Sequence, residues 1–194
     1  MKNIISQIIT ASLVTLVLGA ILCGIYPVAV WGVAQVLMPN KANGSLIIKD
    51  EKIIGSELIG QTFVSPKYFH TRPSAAGKGY DAANSGGTNF GPISQKLLDS
   101  VKDRATNYRK INNLTADVKI PVDAVTSSGS GLDPHISPAN AKLQLARVAR
   151  ERNLSEEQVG KFIDEHTDSG FSSLLGDPAV NVVTLNVALD NQPR

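Results

Sequence analysis

Hydrophobic and polar positions are distributed unevenly along the chain. Between Lys2 and Lys41 there is no charged residue, a run of 38 positions. Residues 8–26 are mostly apolar and would form about 28 Å of helix at ~1.5 Å per residue, close to the ~30 Å core of a bilayer. Pro27 is expected to kink or end that helix. Residues 28–38 continue apolar, with Tyr26 and Trp31 where an interfacial aromatic belt would sit. A cleaved signal peptide fits less well, because the apolar run is too long and no small-x-small exit is followed promptly by polar sequence. Residues 1–39 are therefore expected to be an uncleaved transmembrane anchor, and residues 40–194 a single domain. Ala11, Thr15, Gly19 and Cys23 recur at spacing four, which predicts a seam where a partner helix packs closely. Lys2 on one side and Lys41, Lys49 and Lys52 on the other leave the orientation undecided by charge.

Beyond Pro39 the patterning becomes that of a water-soluble domain. Residues 39–44 carry turn chemistry and read as a linker. Residues 45–48 and 52–54 favour β-structure around Lys49, Asp50 and Glu51, which predicts a hairpin. Residues 71–92 have almost no aliphatic bulk and contain five glycines. Loops of that length inside a domain are usually functional, and this one is expected to be an ordered surface loop that meets a partner. Ile93, Leu97, Leu98 and Val101 predict a helix from Pro92, while residues 107–119 are polar and indeterminate. A second small-residue loop fills 126–138. Ser137 reads as an N-cap and Pro138 as the first residue of a helix through Arg152, with Ala141, Leu145, Val148 and Ala149 inward and the arginines outward. Ser155 to Gln158 has the form of a capping box, Val159, Phe162 and Ile163 are the buried face that follows, and Gly170 helps end that helix. Val183, Leu185, Val187 and Leu189 alternate with smaller residues, which predicts a half-buried strand over 180–189. The class is α+β, with one membrane helix, a small sheet and about three further helices.

Composition adds exclusions. Net charge is +2, charged residues are 19% and aromatics 5%, which gives no basis for a nucleic-acid partner. The single cysteine rules out a disulfide framework within the chain. His70, His135 and His166 show no ligand spacing, so no metal is expected. Gly77-Lys78-Gly79 and Gly86-Gly87-Thr88 do not complete a phosphate-binding loop. Ser128 and Ser130 lie near Asp133 and His135, but the strand-to-helix nucleophile elbow is absent. Turn and cap chemistry explains those residues better than a catalytic triad does. A membrane-anchored extracytoplasmic serine hydrolase is the alternative from a different functional class.

The two loops carry a resemblance. Residues 68–75 (YFHTRPSA), then Tyr80-Asp81, then residues 84–89 (NSGGTN), resemble the C-subunit family of the bacterial Kdp potassium-transporting ATPases. So do residues 125–138 (VTSSGSGLDPHISP), the helix of residues 141–152, His166-Thr167 and residues 181–190. The resemblance covers essentially the whole chain. It implies a non-catalytic accessory subunit of a high-affinity, ATP-driven K⁺ uptake complex, in which a channel-like A subunit selects K⁺, a P-type B subunit hydrolyses ATP, and a small F subunit accompanies them. It implies a single pass through the bacterial cytoplasmic (inner) membrane, N-terminus inside and domain outside. It implies a role in assembly and, as a catalytic chaperone, in raising the ATP affinity of the B subunit. ATP, Mg²⁺ and K⁺ would be handled by the complex, with no cofactor bound by this chain. His70, Arg72, Tyr80, Asp81, Asn84, Thr88 and Asn89 are candidate partner contacts. Ser128, Ser130, Asp133 and His135 form the second candidate loop, and Gln144 is a candidate for the ATP-affinity effect.

Overall fold

The apolar N-terminal run folds as one uninterrupted helical rod. In the computed structural model, which describes residues 2–168 and 176–192, α1 (Lys2–Gly19) passes through a π-helical segment (Ala20–Ile25) into α2 (Tyr26–Leu37). Asn3–Leu37 is thus a 35-residue helix long and apolar enough to cross a membrane. It neither ends nor breaks at Pro27. A proline ring normally strikes the carbonyl four residues back and leaves a hydrogen bond unmade. Here the wider π turns come immediately before it, and their i→i+5 pattern relaxes that clash. Each such turn holds an extra residue, so positions after Ile25 are rotated relative to a continuous α register. The expected linker is partly helical, as α3 (Pro39–Ala42). Asn43 ends it, donating to the Pro39 carbonyl at 2.7 Å and exchanging amide hydrogen bonds with Gln35. Contacts divide the chain into two units, residues 1–46 and residues 47–194.

The second unit opens with the expected hairpin, β1 (Leu46–Lys49) and β2 (Lys52–Ser56). Asp50 and Glu51 both take positive φ, 49° and 62°, as a two-residue type I′ connection requires. A second sheet joins β3 (His135–Ile136), β4 (Thr167–Asp168) and β5 (Ala179–Asn181). β5 is central and antiparallel to both neighbours, with Val180 opposite Ile136 on one side and Thr167 on the other. The core collects Phe69, Ile136, Val148, Val159, Ile163, Val180 and Leu185, all essentially without solvent exposure.

Four helices surround this core. α4 (Gln95–Asn112) starts three residues later than the pattern implies. Ser94 is extended at φ −66°, ψ 125° and follows a tight turn from Gly91, which leaves Ile93 outside the helix and 93% exposed. The helix absorbs part of the indeterminate polar stretch, because Tyr108 and Asn112 turn inward to polar partners. α5 (Pro138–Arg152) begins at the expected N-cap, Ser137, whose hydroxyl accepts from the Asn140 N–H at 3.1 Å. Its arginines are not all outward: Arg147 is 2% exposed. α6 (Glu156–Glu165) has both halves of the capping box, and the expected stop at Gly170 lies outside the described residues. The expected C-terminal strand is instead α7 (Val182–Asp190), with only residues 179–181 extended. The Asn181 side chain accepts from the Val183 and Thr184 N–H groups and starts a helix. The residues it buries, Val182, Val183, Leu185, Asn186 and Leu189, step by three and four.

Candidate functional site

The two glycine- and serine-rich loops, separated in sequence by residues 93–125, fold against each other into one platform. The Gly86 N–H donates to the Ser130 carbonyl at 2.8 Å. The Ser85 hydroxyl donates to the same carbonyl at 2.9 Å, and Ser74 Oγ donates to the Gly131 carbonyl at 2.6 Å. Gly131 requires its missing side chain twice over. Its φ is +69°, and a Cβ there would lie 2.7 Å from both the Ala76 nitrogen and the Gly86 carbonyl oxygen. Tyr80, bulky yet at φ +55°, is held in that strained region by its N–H to Ser74 Oγ (2.8 Å) and its hydroxyl to the Arg72 carbonyl (2.9 Å). Asp81 accepts from the Ala83 N–H and the Asn84 side chain, shaping a short 3₁₀ turn.

Charge ties the loops together from behind. The Arg72 guanidinium pairs with Asp133 at 3.1 Å, and His135 Nδ1 sits 3.2 Å from the other carboxylate oxygen of Asp133. His135 Nε2 faces Asp168 on β4 at 3.6 Å. Burial alone would raise the Asp133 carboxyl; hydrogen bonds from the His135 ring and backbone, with the charges of His135 and Arg72, outweigh it and hold the pKa below normal. The same hydrogen bond raises the pKa of His135 against its partial burial, helped by the charges of Asp133 and Asp168. Arg104 on α4 reaches the Val125 carbonyl at 3.1 Å and braces the second loop.

The first loop is entered through a segment gripped by side-chain amides. Asn186 accepts from the Phe69 N–H and donates to the Phe69 carbonyl, both at 2.9 Å. Gln144 does the same to His70, at 2.7 and 3.1 Å. Both clamp residues are 1% exposed. Arg147 completes the grip: its Nε donates to Asn112, one terminal nitrogen to the carbonyls of Pro66 and Tyr68, and the other to Gln144. Burial lowers its pKa to about 10, partly opposed by Tyr108 and Glu151, so it stays cationic at neutral pH. The His70 pKa is also lowered, to about 4, first by burial and then by the Arg147 charge, so this ring is neutral at neutral pH. Asp123 anchors the start of α5, accepting from the Ser137 N–H and hydroxyl and from Asn140.

The structure sorts the residues singled out from sequence. His70, Arg72, Tyr80, Asp81 and Thr88 are half-buried; the polar groups of Arg72, Tyr80 and Asp81 build the platform, whereas the His70 ring meets the Ser65 carbonyl. Asn84, Asn89 and Ser130 are exposed on it, beside Phe90. Ser128 is buried, its hydroxyl accepting from the Gly131 N–H, and Ser130 Oγ accepts from the Leu132 N–H. His135 faces carboxylates, not a serine, so the hydrolase alternative gains no support. Gln144 lies in the interior with both ends of its amide engaged. In the helical rod, Ala11, Thr15 and Gly19 share the regular α1, and a Cβ at Gly19 would meet no atom within 4 Å. Cys23 falls inside the π segment and is exposed. Sequence reasoning passed over Asn112, Asp123, Asn140, Arg147 and Asn186. For Asn112, Asn140, Arg147 and Asn186 the only sequence signal was position, as polar residues on the inward side of helices, and Asp123 sits in a short 3₁₀ turn.

Comparison with known proteins covers nearly the whole chain. The family model of the K⁺-transporting ATPase c chain, KdpC, matches residues 8–191. The potassium-transporting ATPase KdpC subunit of Mycobacterium tuberculosis is 54% identical over 95% of this chain and 97% of its own. Those of Koribacter versatilis and Rhodopseudomonas palustris are 49% and 48% identical, over 97% and 96% of this chain and 94% and 98% of theirs. A match of this extent, spanning the helical rod, both loops and the clamp behind them, shows that the chain belongs to the KdpC family of K⁺-transporting ATPase subunits.

Proposed function

We propose that this chain is the non-catalytic accessory subunit of an ATP-driven K⁺ uptake complex, holding the channel-like and ATP-hydrolysing subunits together. The observation that carries the reading is the two-loop platform. Arg72, Asp81, Asp133, Ser128 and Ser130 are engaged in internal bonds, and Lys78, Asn84, Asn89, Ser130 and Phe90 are left exposed on the two loops. Such a surface suits contact more than chemistry. The helical rod anchors the chain in the inner membrane, N-terminus in the cytoplasm, and its Ala11–Thr15–Gly19–Cys23 positions accept a partner helix. The platform covers the outer face of the channel subunit.

An effect on ATP affinity then reaches the cytoplasmic B subunit as a coupling free energy through the span or the channel subunit. Burial of Gln144 supports a positioning role for it, through the His70 backbone. Pull-down of the tagged chain from native membranes, with a K⁺-stimulated ATPase assay, tests the reading. Recovery of a P-type ATPase and a multi-span partner with activity is expected, and recovery of this chain alone overturns it. Photolabelling with an ATP analogue in oriented vesicles is expected to mark the B subunit and leave this chain unmarked.

A further inference from the structure

From β1 onward the chain exposes its large aliphatic side chains unevenly. Within residues 46–64, Leu46, Ile48, Ile53, Ile54, Leu58, Ile59 and Val64 are all exposed, and no other large hydrophobic side chain is exposed until Phe90. The hairpin concentrates them by alternation. Ile47 and Ile54 turn toward α7, where they line a small cavity with Val183 and Val187. Ile48 and Ile53 therefore fall on the opposite face of the ribbon, where they are 64% and 65% exposed. A two-stranded ribbon with one apolar face uncovered is poorly suited to water.

Chain connectivity limits what can cover it. The helical rod ends at Leu37 and β1 begins at Leu46. The intervening residues, four of them in α3, reach at most roughly 20 Å at ~1.5 Å per helical and ~3.5 Å per extended residue. The last turn of the rod is itself apolar, with Val36 and Leu37 exposed. The uncovered patch is purely aliphatic and lacks the Trp, Tyr and Arg anchors that carry protein–protein contacts. Lys49 and Lys52 alternate onto the other face of the ribbon, with Ile47 and Ile54, so no charged side chain of the strands interrupts the Ile48–Ile53 face.

We propose that the Ile48–Ile53 face of the hairpin rests on the lipid bilayer, inserting at the level of the headgroups. Lys49 and Lys52 are outnumbered by Asp50, Glu51 and Glu57, a net charge of −1 over residues 46–64, so apolar burial drives the contact and anionic lipid is not required. This inference rests on the membrane-anchor reading, and the experiment separates the two. The full chain is placed in nanodiscs of neutral lipid with a nitroxide near the headgroup. An environment-sensitive fluorophore is attached at native Cys23, or at Ile53→Cys or Ile48→Cys in a Cys23→Ser background. Blue-shifted emission with quenching at positions 48 and 53 is the expected result. Water-like, unquenched emission there, with Cys23 quenched, overturns the inference and leaves the anchor intact. Blue-shifted but unquenched emission means that a protein surface covers the pair, a partner subunit or a second copy, and also overturns it. An unquenched label at Cys23 overturns the anchor itself.

Discussion

Arg147 is a buried cation whose hydrogen bonds go to neutral carbonyl oxygens, with Glu151 acting on it through charge. Arg147→Ala leaves those acceptors unpaired and should cost upward of ~3 kcal/mol in chemical denaturation. Arg150→Ala, exposed and paired only with its neighbour Glu151, should change stability by less than ~0.5 kcal/mol. Gly131→Ala should separate the two loops and cost more than ~1 kcal/mol by strain and overlap, whereas Gly129→Ala, with open space at its Cβ, should be nearly silent. The two shifted histidines give opposite pH dependence. His135 has a raised pKa, so its contribution is complete below the ordinary value of 6.5 and fades as pH rises through the raised one. His70 is lowered to about 4, so stability is lost as pH falls from 6.5 toward 4, where the unfolded chain takes up a proton that the folded one refuses. Thermal melts should therefore peak at mildly acidic pH. His135→Gln should flatten the alkaline side, and a melt profile unchanged by it would refute the assignment.

At the level of elements, capping chemistry was readable and periodicity was not always decisive. Ser137 with Pro138 and the Ser155–Gln158 box marked their helices correctly because caps are local side chain-to-backbone contacts. The 180–189 segment misled because its apolar residues satisfy period two and the helical period together. The deciding residue was Asn181, a good cap at the point where the strand stops. Asn181→Ala removes acceptors for two helix-end N–H groups and a donor to the Glu57 carbonyl. It should cost about 1–2 kcal/mol, visible as lowered helicity and a lower melting temperature. The helix did not end at Pro27 for a different reason. A proline stops an α-helix by rules that assume four-residue hydrogen bonding, and no sequence signal announced that six residues before it would widen into π turns.

For the whole molecule, the loops were legible as special because they lack aliphatic bulk, and one of them carries the strained turn at Tyr80. Their union was not, since contacts such as Ser85 to Ser130 join residues whose separation encodes nothing about proximity. The buried polar group behind them was less legible still: Arg147 looks like any surface arginine until the Pro66 and Tyr68 carbonyls are placed beside it. Assembly is tested on the same scale. Gly19→Leu crowds the face that is open in the isolated chain and should lower recovery of partner subunits while the melting of residues 47–194 stays unchanged; recovery of a full complex would remove the packing argument.

The amide clamp distributes mutational tolerance in an unusual way. Asn186 and Gln144 hold the main chain of Phe69 and His70, and a peptide group is the same whatever side chain it carries. The grip is blind to the identity of what it grips. Replacements at position 70 that keep an extended backbone should leave the first loop seated. Isosteric replacements in the gripping pair, Gln144→Glu or Asn186→Asp, each put a carboxylate oxygen where a donor must be and should unseat it. The information that fixes where the loop begins thus resides in two helices that take no part in the loop.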